Sequence, residues 1–203
     1  MKALGKGSIA AIVEAGLGIT RIVLWALIGL WAAAFLAYLA FVGLISTGAL
    51  NPSLAELGNG QNLHIRILGS DGAAIDNVQW TDWHLIVPAL LIAGVGIGGA
   101  LIIVTQLRLM FLSFRSGEPF RRENANHLRV IWITMVAIEL SRYVLMGLTA
   151  ALLYQVQDPS VSAISLSLDG ERLSTWGSIL ILIVLAEVFR EGARLKEEQE
   201  LTI

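Results

Sequence analysis

Two ionisable residues interrupt a long apolar stretch of the sequence and are the first candidates for chemistry. Glu139 and Arg142 are three residues apart, so their side chains share one face of a helix. Near the centre of a bilayer each charge alone is costly, whereas a mutual ion pair neutralises both. Two interpretations remain open: the pair holds neighbouring helices together, or it forms a binding or proton-linked site.

Other catalytic and metal-binding patterns are missing from the sequence. There is no Cys, which excludes thiolate ligands, disulfides and thiol nucleophiles. His64, His84 and His127 lack the spacing of metal ligands, and no Gly-x-Ser-x-Gly motif is present. A net charge of -2 argues against direct binding of nucleic acid. We therefore expect no catalytic residues, metal, cofactor or enzymatic activity.

The run Gly94-Val95-Gly96-Ile97-Gly98-Gly99 has the letter pattern of a dinucleotide-binding loop. That function requires the glycines to follow a strand and to begin a helix, but here they lie in the middle of an apolar stretch. Gly94 and Gly98 are four residues apart, a spacing that lets two membrane helices approach closely. We therefore predict helix packing at Gly94 and Gly98.

The composition is that of a membrane protein, because 56% of the 203 residues are hydrophobic and 15% are charged. We predict an all-α membrane protein with one domain, residues 1–203, built as a four-transmembrane-helix bundle. A short interfacial helix over Ser8–Ile19 is expected before Arg21. The predicted spans are about 22–45, 85–105, 130–153 and 173–189, joined by external loops 46–84 and 154–172 and a cytoplasmic loop 106–129, with a cytoplasmic tail 190–203.

Basic residues are distributed unequally between the two sides of these spans, and cytoplasmic segments carry the excess of Lys and Arg. Arg66 and Arg172 lie on one side, and Arg142 lies inside a span. The distribution places both termini in the cytoplasm. It also explains the basic loop as a determinant of topology, and binding of lipid headgroups or of a partner would be additional. The eleven basic residues on the other side are Lys2, Lys6, Arg21, Arg108, Arg115, Arg121, Arg122, Arg129, Arg190, Arg194 and Lys196.

Two segments that follow predicted spans align without gaps, and we call them the exit motifs. They are Phe114–Asn124 and Phe189–Gln199, and both obey Phe-Arg-x-Gly-x-x-(Phe/Leu)-(Arg/Lys)-x-Glu-(Asn/Gln). The motifs predict two tandem two-span repeats of parallel topology. The shared positions are Phe114, Arg115, Gly117, Phe120, Glu123 and Asn124 in the first motif, and Phe189, Arg190, Gly192, Leu195, Glu198 and Gln199 in the second.

Both external loops contain a short alternating apolar pattern before an Asp-Gly pair. The first runs from Leu63 to Ile67 before Asp71-Gly72, and the second from Ile164 to Leu168 before Asp169-Gly170. Alternation followed by a turn signal is typical of strands. We predict a small external β element in which the two strands pair.

The exit motifs and the last residues of the chain, Glu198-Gln199-Glu200-Leu201-Thr202-Ile203, resemble a bacterial family of uncharacterised four-span membrane proteins, a domain of unknown function. The resemblance implies a location in the bacterial cytoplasmic (inner) membrane. It also implies a gene that often lies beside one for a Cro/CI-type helix-turn-helix regulator. It implies no established activity, and therefore no site residues.

Three functional hypotheses follow from these observations. The first is a non-enzymatic regulator or sensor whose cytoplasmic extensions engage a soluble partner, with the helix-turn-helix regulator as the candidate. The second is a small transporter or immunity-type protein that uses Glu139 and Arg142. The third is a structural scaffold that forms homo-oligomers. The lipid bilayer is a partner in all three.

Overall fold

Four long helices make up most of the part of the chain that the computed structural model describes, which is residues 9–49, 63–66, 74–78, 80–115, 121–156 and 170–200. The helices have 38, 33, 35 and 31 residues. With a rise of about 1.5 Å per residue, each is longer than the roughly 30 Å hydrocarbon core of a bilayer. They are α1 (Ile9–Ser46), α2 (Trp83–Arg115), α3 (Arg122–Val156) and α4 (Gly170–Glu200).

Each predicted span lies within one of these helices, and all four helices are apolar enough to cross a membrane. α1 begins at Ile9 and continues through Arg21 without a break, so the separate interfacial helix predicted before Arg21 is wrong. Arginine is a good helix former, and one basic side chain does not interrupt the backbone hydrogen bonds. α1 ends where Gly48 takes a φ of 69°, with Gly48 N donating to Ile45 O and Ala49 N to Leu44 O, both at 3.0 Å.

A two-stranded antiparallel hairpin lies between α1 and α2. Its strands are β1 (Leu63–Arg66) and β2 (Ala74–Val78), with Ile65 opposite Ile75 and a register irregularity between Leu63 and Ile65. The predicted β element made from strands of both external loops is not supported, because β1 pairs locally with β2. The second predicted strand, Ile164–Leu168, lies outside the described residues, and Gly170 begins α4.

The two predicted tandem repeats are not supported either, because the exit motifs adopt different structures. The first motif begins in the last turn of α2 and ends in the first turn of α3. The second lies entirely within α4, which continues to Glu200. The first motif contains Pro119, whose ring does not fit a continuing helix, and the second has no proline.

The chain divides into two compact units. The first unit consists of Met1–Leu27, Ile97–Ile138 and Ser174–Ile203. Its core is formed by Met110, Leu128 and Ile131, which are almost completely buried and pack against apolar side chains of α2, α3 and α4. This unit contains both exit motifs.

The second unit consists of Ile28–Gly96 and Glu139–Leu173. Here side chains of α1 donate hydrogen bonds to α2 and to the turn that precedes it. Trp31 Nε1 donates to Leu90 O at 3.0 Å, and the Tyr38 hydroxyl donates to Trp80 O at 3.1 Å. These bonds satisfy indole and phenol groups inside an apolar unit. The second unit contains Glu139 and Arg142.

Candidate functional site

Glu139 and Arg142 form an ion pair in the middle of α3. Arg142 Nη2 donates to Glu139 Oε2 at 2.8 Å, and the side chains are 17% and 10% exposed. The guanidinium also lies 5.7 Å from the centre of the Tyr143 ring, a favourable cation–π distance. Arg142 Nε is buried and makes no hydrogen bond with the described residues. The pair therefore neutralises its own charge within one helix.

The structure brings the first residues of the two exit motifs together. The rings of Phe114 on α2 and Phe189 on α4 stack, with centroids 6.2 Å apart and planes at 29°. Phe111 packs edge-on against Phe114 at 6.0 Å. Such aromatic pairs add roughly 0.5–1.5 kcal/mol beyond the burial of their area. The aromatic contact joins the end of α2 to the segment where α4 leaves its apolar stretch.

The last residues of the first motif have opposite environments. Asn124 is completely buried, and its Nδ2 donates to Ser113 Oγ at 2.9 Å, which joins the start of α3 to the end of α2. Glu123 is exposed and lies 3.6 Å from the Arg121 guanidinium. Gly117 and Phe120 lie outside the described residues, as does the side chain of Arg115.

The second motif lies on α4, and most of its side chains are exposed. Arg190 pairs with Glu187, and Glu198 accepts from Arg194 at 3.3 Å. Gln199 is exposed, Leu195 is 49% exposed, and Gly192 is half-buried. Among the shared positions of this motif, Phe189 packs against the first-unit core and stacks on Phe114 of the first motif.

The two glycines predicted to form one packing face differ. A Cβ atom on Gly94 would collide with the Trp31 ring, so in the second unit the absence of a side chain lets α2 approach α1 closely. A Cβ atom on Gly98 would meet nothing within 4 Å among the described residues. The next close contact is at Gly99, which faces Ile138 in the first unit. The predicted packing at Gly94 therefore has a partner in α1, and packing at Gly98 stays a prediction.

An open groove of about 450 Å³ lies between α3 and α4 in the first unit. We call it the α3–α4 groove. Arginines and a glutamate line one part of it, and apolar side chains line the other. The lining includes Arg122, Arg129, Trp132, Ile183, Glu187 and Arg190.

Two polar contacts of the first unit are not predicted from the sequence. His127 Nδ1 lies 2.6 Å from Gln106 Oε1 and joins α2 to α3, and Asn124 bonds Ser113. The partners are 21 and 11 residues apart, so no helical spacing relates them. A usable signal is the mixture of Asn and His with apolar residues at the start of α3. Among the described residues, no group of three His, Asp or Glu side chains is placed to hold a metal.

The fold defines the class first: four helices long and apolar enough to span a bilayer are those of a multi-pass membrane protein. Over residues 73–203, the chain matches the family described as "Protein of unknown function (DUF2975)", and it belongs to that family. The resemblance to a family of unknown function is thereby confirmed, while its four-span topology and the neighbouring regulator stay predictions. No curated protein and no solved structure matches the chain.

Proposed function

We propose that this protein is a non-enzymatic regulator or sensor of the bacterial cytoplasmic membrane, with both termini in the cytoplasm. In this proposal the extension of α4 beyond Phe189, residues 190–200, docks a soluble helix-turn-helix regulator. The orientation follows from the eleven basic residues on one side of the spans against two on the other.

The observation that carries the proposal is the orientation of side chains on the α4 extension. Phe189 and Ala193 are four residues apart and turn toward the first unit, where Ala193 is 3% exposed. Leu195 lies on the opposite face, because two residues correspond to about 200° around a helix. The exit-motif residues Gly192 and Gln199 flank Leu195 at spacings of three and four. One face therefore holds the extension, and the other presents a leucine to solvent.

A polar extension gains little stability from water alone, so its continuation to Glu200 needs support. The contacts of Phe189 and Ala193 support its first turn. Ion pairs between Arg194 and Glu191, at 2.9 Å, and Glu198, at 3.3 Å, support the next turns. The opposite face stays available to a partner.

The charge of the extension favours a basic partner. Residues 190–200 contain four glutamates, two arginines and one lysine, a net charge of -1. DNA-binding regulators carry a basic surface that contacts phosphates. An acidic helix with one exposed leucine complements such a surface, and its occupation competes with DNA for the regulator.

The test is co-purification of the full-length membrane protein with the helix-turn-helix regulator encoded beside its gene. Leu195→Asp introduces a charge at the centre of the docking face and should abolish capture. Glu197→Gln changes one residue in the same turn on another side of the helix and should retain it. Deletion of Arg194–Ile203 should also abolish capture, with membrane insertion and thermal stability nearly unchanged.

Three outcomes would overturn the docking proposal. In the first, the intact protein never retains the regulator, and in the second, the truncated protein still retains it. In the third, Leu195→Asp changes the oligomeric state in detergent, as measured by light scattering. That result would show that a second copy of the chain occupies the face, as the scaffold hypothesis requires.

The geometry of Glu139 and Arg142 supports a structural role and not the transport alternative. Their hydrogen bond of 2.8 Å uses charges of the same helix, and neither residue lines the α3–α4 groove. A transport site needs a charge that exchanges its partner for a substrate or a proton. We propose that this pair neutralises itself to permit burial.

A further inference from the structure

The α3–α4 groove lies where both of its helices change from charged to apolar sequence. On α3 the change falls between Arg129 and the predicted span that starts at Val130, and on α4 it falls between the span end at Phe189 and Arg190. Phospholipid headgroups occupy the same boundary in a membrane, between water and hydrocarbon. The groove therefore opens at the depth of the headgroups.

The groove has a basic end. Arg122 and Arg190 also line a second, smaller groove together with Ala193 and Arg194, which lie further along the α4 extension. These two arginines therefore mark the end of the α3–α4 groove nearer to the charged segments. Trp132 and Ile183 line only the larger groove and mark its apolar end.

Two arginines of the groove lack a carboxylate partner within the part of the chain that the structure describes. Glu187, the one acidic residue in the groove lining, pairs with Arg190. Arg122 and Arg129 are exposed and take part in none of the ion pairs found among the described residues. They are seven residues apart, so both project from the same face of α3. The groove thus presents two uncompensated positive charges.

An anionic ligand with an apolar part can bind the arginines at the basic end of this groove and contact the apolar side chains at its other end. Guanidinium groups bind phosphate oxygens through bidentate hydrogen bonds. Trp132 is half-buried, and an indole ring favours the level where headgroups meet acyl chains. A volume of about 450 Å³ accommodates a headgroup and the first part of an acyl chain.

We propose that the α3–α4 groove binds the headgroup of an anionic phospholipid from the leaflet around the protein. Arg122 and Arg129 hold the phosphate, and Trp132 and Ile183 contact the glycerol and the start of the acyl chains. The proposal does not depend on docking of a soluble regulator, because it uses other residues than the Leu195 face.

The experiment is native mass spectrometry of the delipidated full-length protein in detergent, titrated with dioleoyl phosphatidylglycerol and with dioleoyl phosphatidylcholine. The two lipids share acyl chains and differ in net charge. Wild-type protein should bind phosphatidylglycerol about tenfold more tightly. In the double variant Arg122→Gln/Arg129→Gln this preference should disappear, because the groove then keeps only the Glu187–Arg190 pair.

The matched control removes the same charge outside the groove. Arg121→Gln/Lys196→Gln changes a residue adjacent to Arg122 and a residue of the α4 extension, neither of which lines the α3–α4 groove. It should retain the lipid preference to within about twofold, since it lowers only the general surface charge. Thermal unfolding of each variant verifies that the fold is intact.

Three results would overturn the lipid proposal. One is equal binding of the two lipids by the wild-type protein. Another is equal loss of preference in the control, which would show a nonspecific effect of charge. The last is full displacement of the lipid by excess inorganic phosphate, which would show that the arginines hold a free anion and that the apolar end contributes nothing.

Discussion

The chain contains the same ion pair in two environments. Glu139 with Arg142 and Glu191 with Arg194 are each a glutamate followed three residues later by an arginine, with N–O distances of 2.8 and 2.9 Å. The first pair has side chains 10% and 17% exposed, and the second 46% and 62%. Residue type, spacing and distance are nearly constant, so any difference in free energy comes from the surroundings.

The difference in exposure distinguishes charges that have a structural role from charges that can bind another molecule. In a buried pair, each charge depends on its partner, because water cannot replace it. In an exposed pair, water and ions replace the partner at little cost. The exposed charges of the first unit can therefore exchange partners with a protein or a lipid, whereas Glu139 and Arg142 depend on each other.

Breaking the buried pair should have the largest effect on stability. Glu139→Gln leaves the Arg142 guanidinium buried without a carboxylate, and we expect a loss of about 3 kcal/mol in the free energy of unfolding. Chemical unfolding of the protein in detergent micelles measures it. The double change Glu139→Gln/Arg142→Met should recover most of this loss. A double variant as unstable as the single one, with its fold retained, would contradict a self-neutralising pair.

The next largest effect on stability is expected for a buried side chain without charge. It shows how much burial alone contributes in the absence of an ion pair. Asn124→Ala removes the bond from Nδ2 to Ser113 Oγ in a completely buried position and should cost about 1–2 kcal/mol. Asn126→Ala, two residues along the same helix, changes an exposed side chain and should leave the unfolding midpoint unchanged. Equal shifts for the two asparagines would show that the bond between α2 and α3 does not stabilise the first unit.

A smaller effect is expected for the contact between the two exit motifs. A double-mutant cycle with Phe114→Leu and Phe189→Leu isolates the ring stacking, since leucine keeps most of the apolar volume. We expect a coupling energy of about 0.5–1 kcal/mol from unfolding measurements. Phe111→Leu paired with Phe189→Leu serves as the control. A coupling near zero for Phe114 and Phe189 would show that the two motifs do not support each other.

Breaking the exposed pair of Glu191 and Arg194 should have the smallest effect on the free energy of unfolding. Glu191→Gln removes a carboxylate from Arg194, which keeps Glu198 as a second partner at 3.3 Å. Solvent screening limits the change in the free energy of unfolding to about 0.5 kcal/mol or less. A loss comparable with that of Glu139→Gln would show that burial does not determine the strength of these pairs.

The sequence predicts the positions of the four helices correctly, because a helix that crosses a bilayer requires a long apolar stretch. Each of the four apolar stretches has a length that can cross a bilayer, roughly 17–25 residues, and each lies within one observed helix. α2 continues beyond the predicted end of the second span, near residue 105, to Arg115. The spacing of Glu139 and Arg142 also predicts their mutual contact, since residues three apart share a helix face.

The prediction of two tandem repeats is not supported, because two segments with similar sequences can adopt different backbone structures. The first motif contains a proline, which does not fit the interior of a helix, and α2 ends within this motif. The second motif has no proline and lies within a continuous helix. The apolar sequence of α4 also does not determine which of its faces packs against the core. Val188 and Leu195 are apolar but exposed, whereas Phe189 contacts Phe114. A rotation of one residue, about 100°, decides between these faces, and an apolar run in a membrane helix does not encode it.

The most direct test of the account is the side of the membrane on which the two exit motifs lie, because the proposed function places the loop 106–129 and the α4 extension in the cytoplasm. The chain has no Cys, so single variants Glu123→Cys, Glu197→Cys and Asp71→Cys each report without background. Intact spheroplasts are treated with a membrane-impermeant maleimide, before and after permeabilisation. We predict labelling of Asp71→Cys from outside, and of Glu123→Cys and Glu197→Cys only after permeabilisation. Labelling of either of the latter two variants in intact spheroplasts would contradict the account.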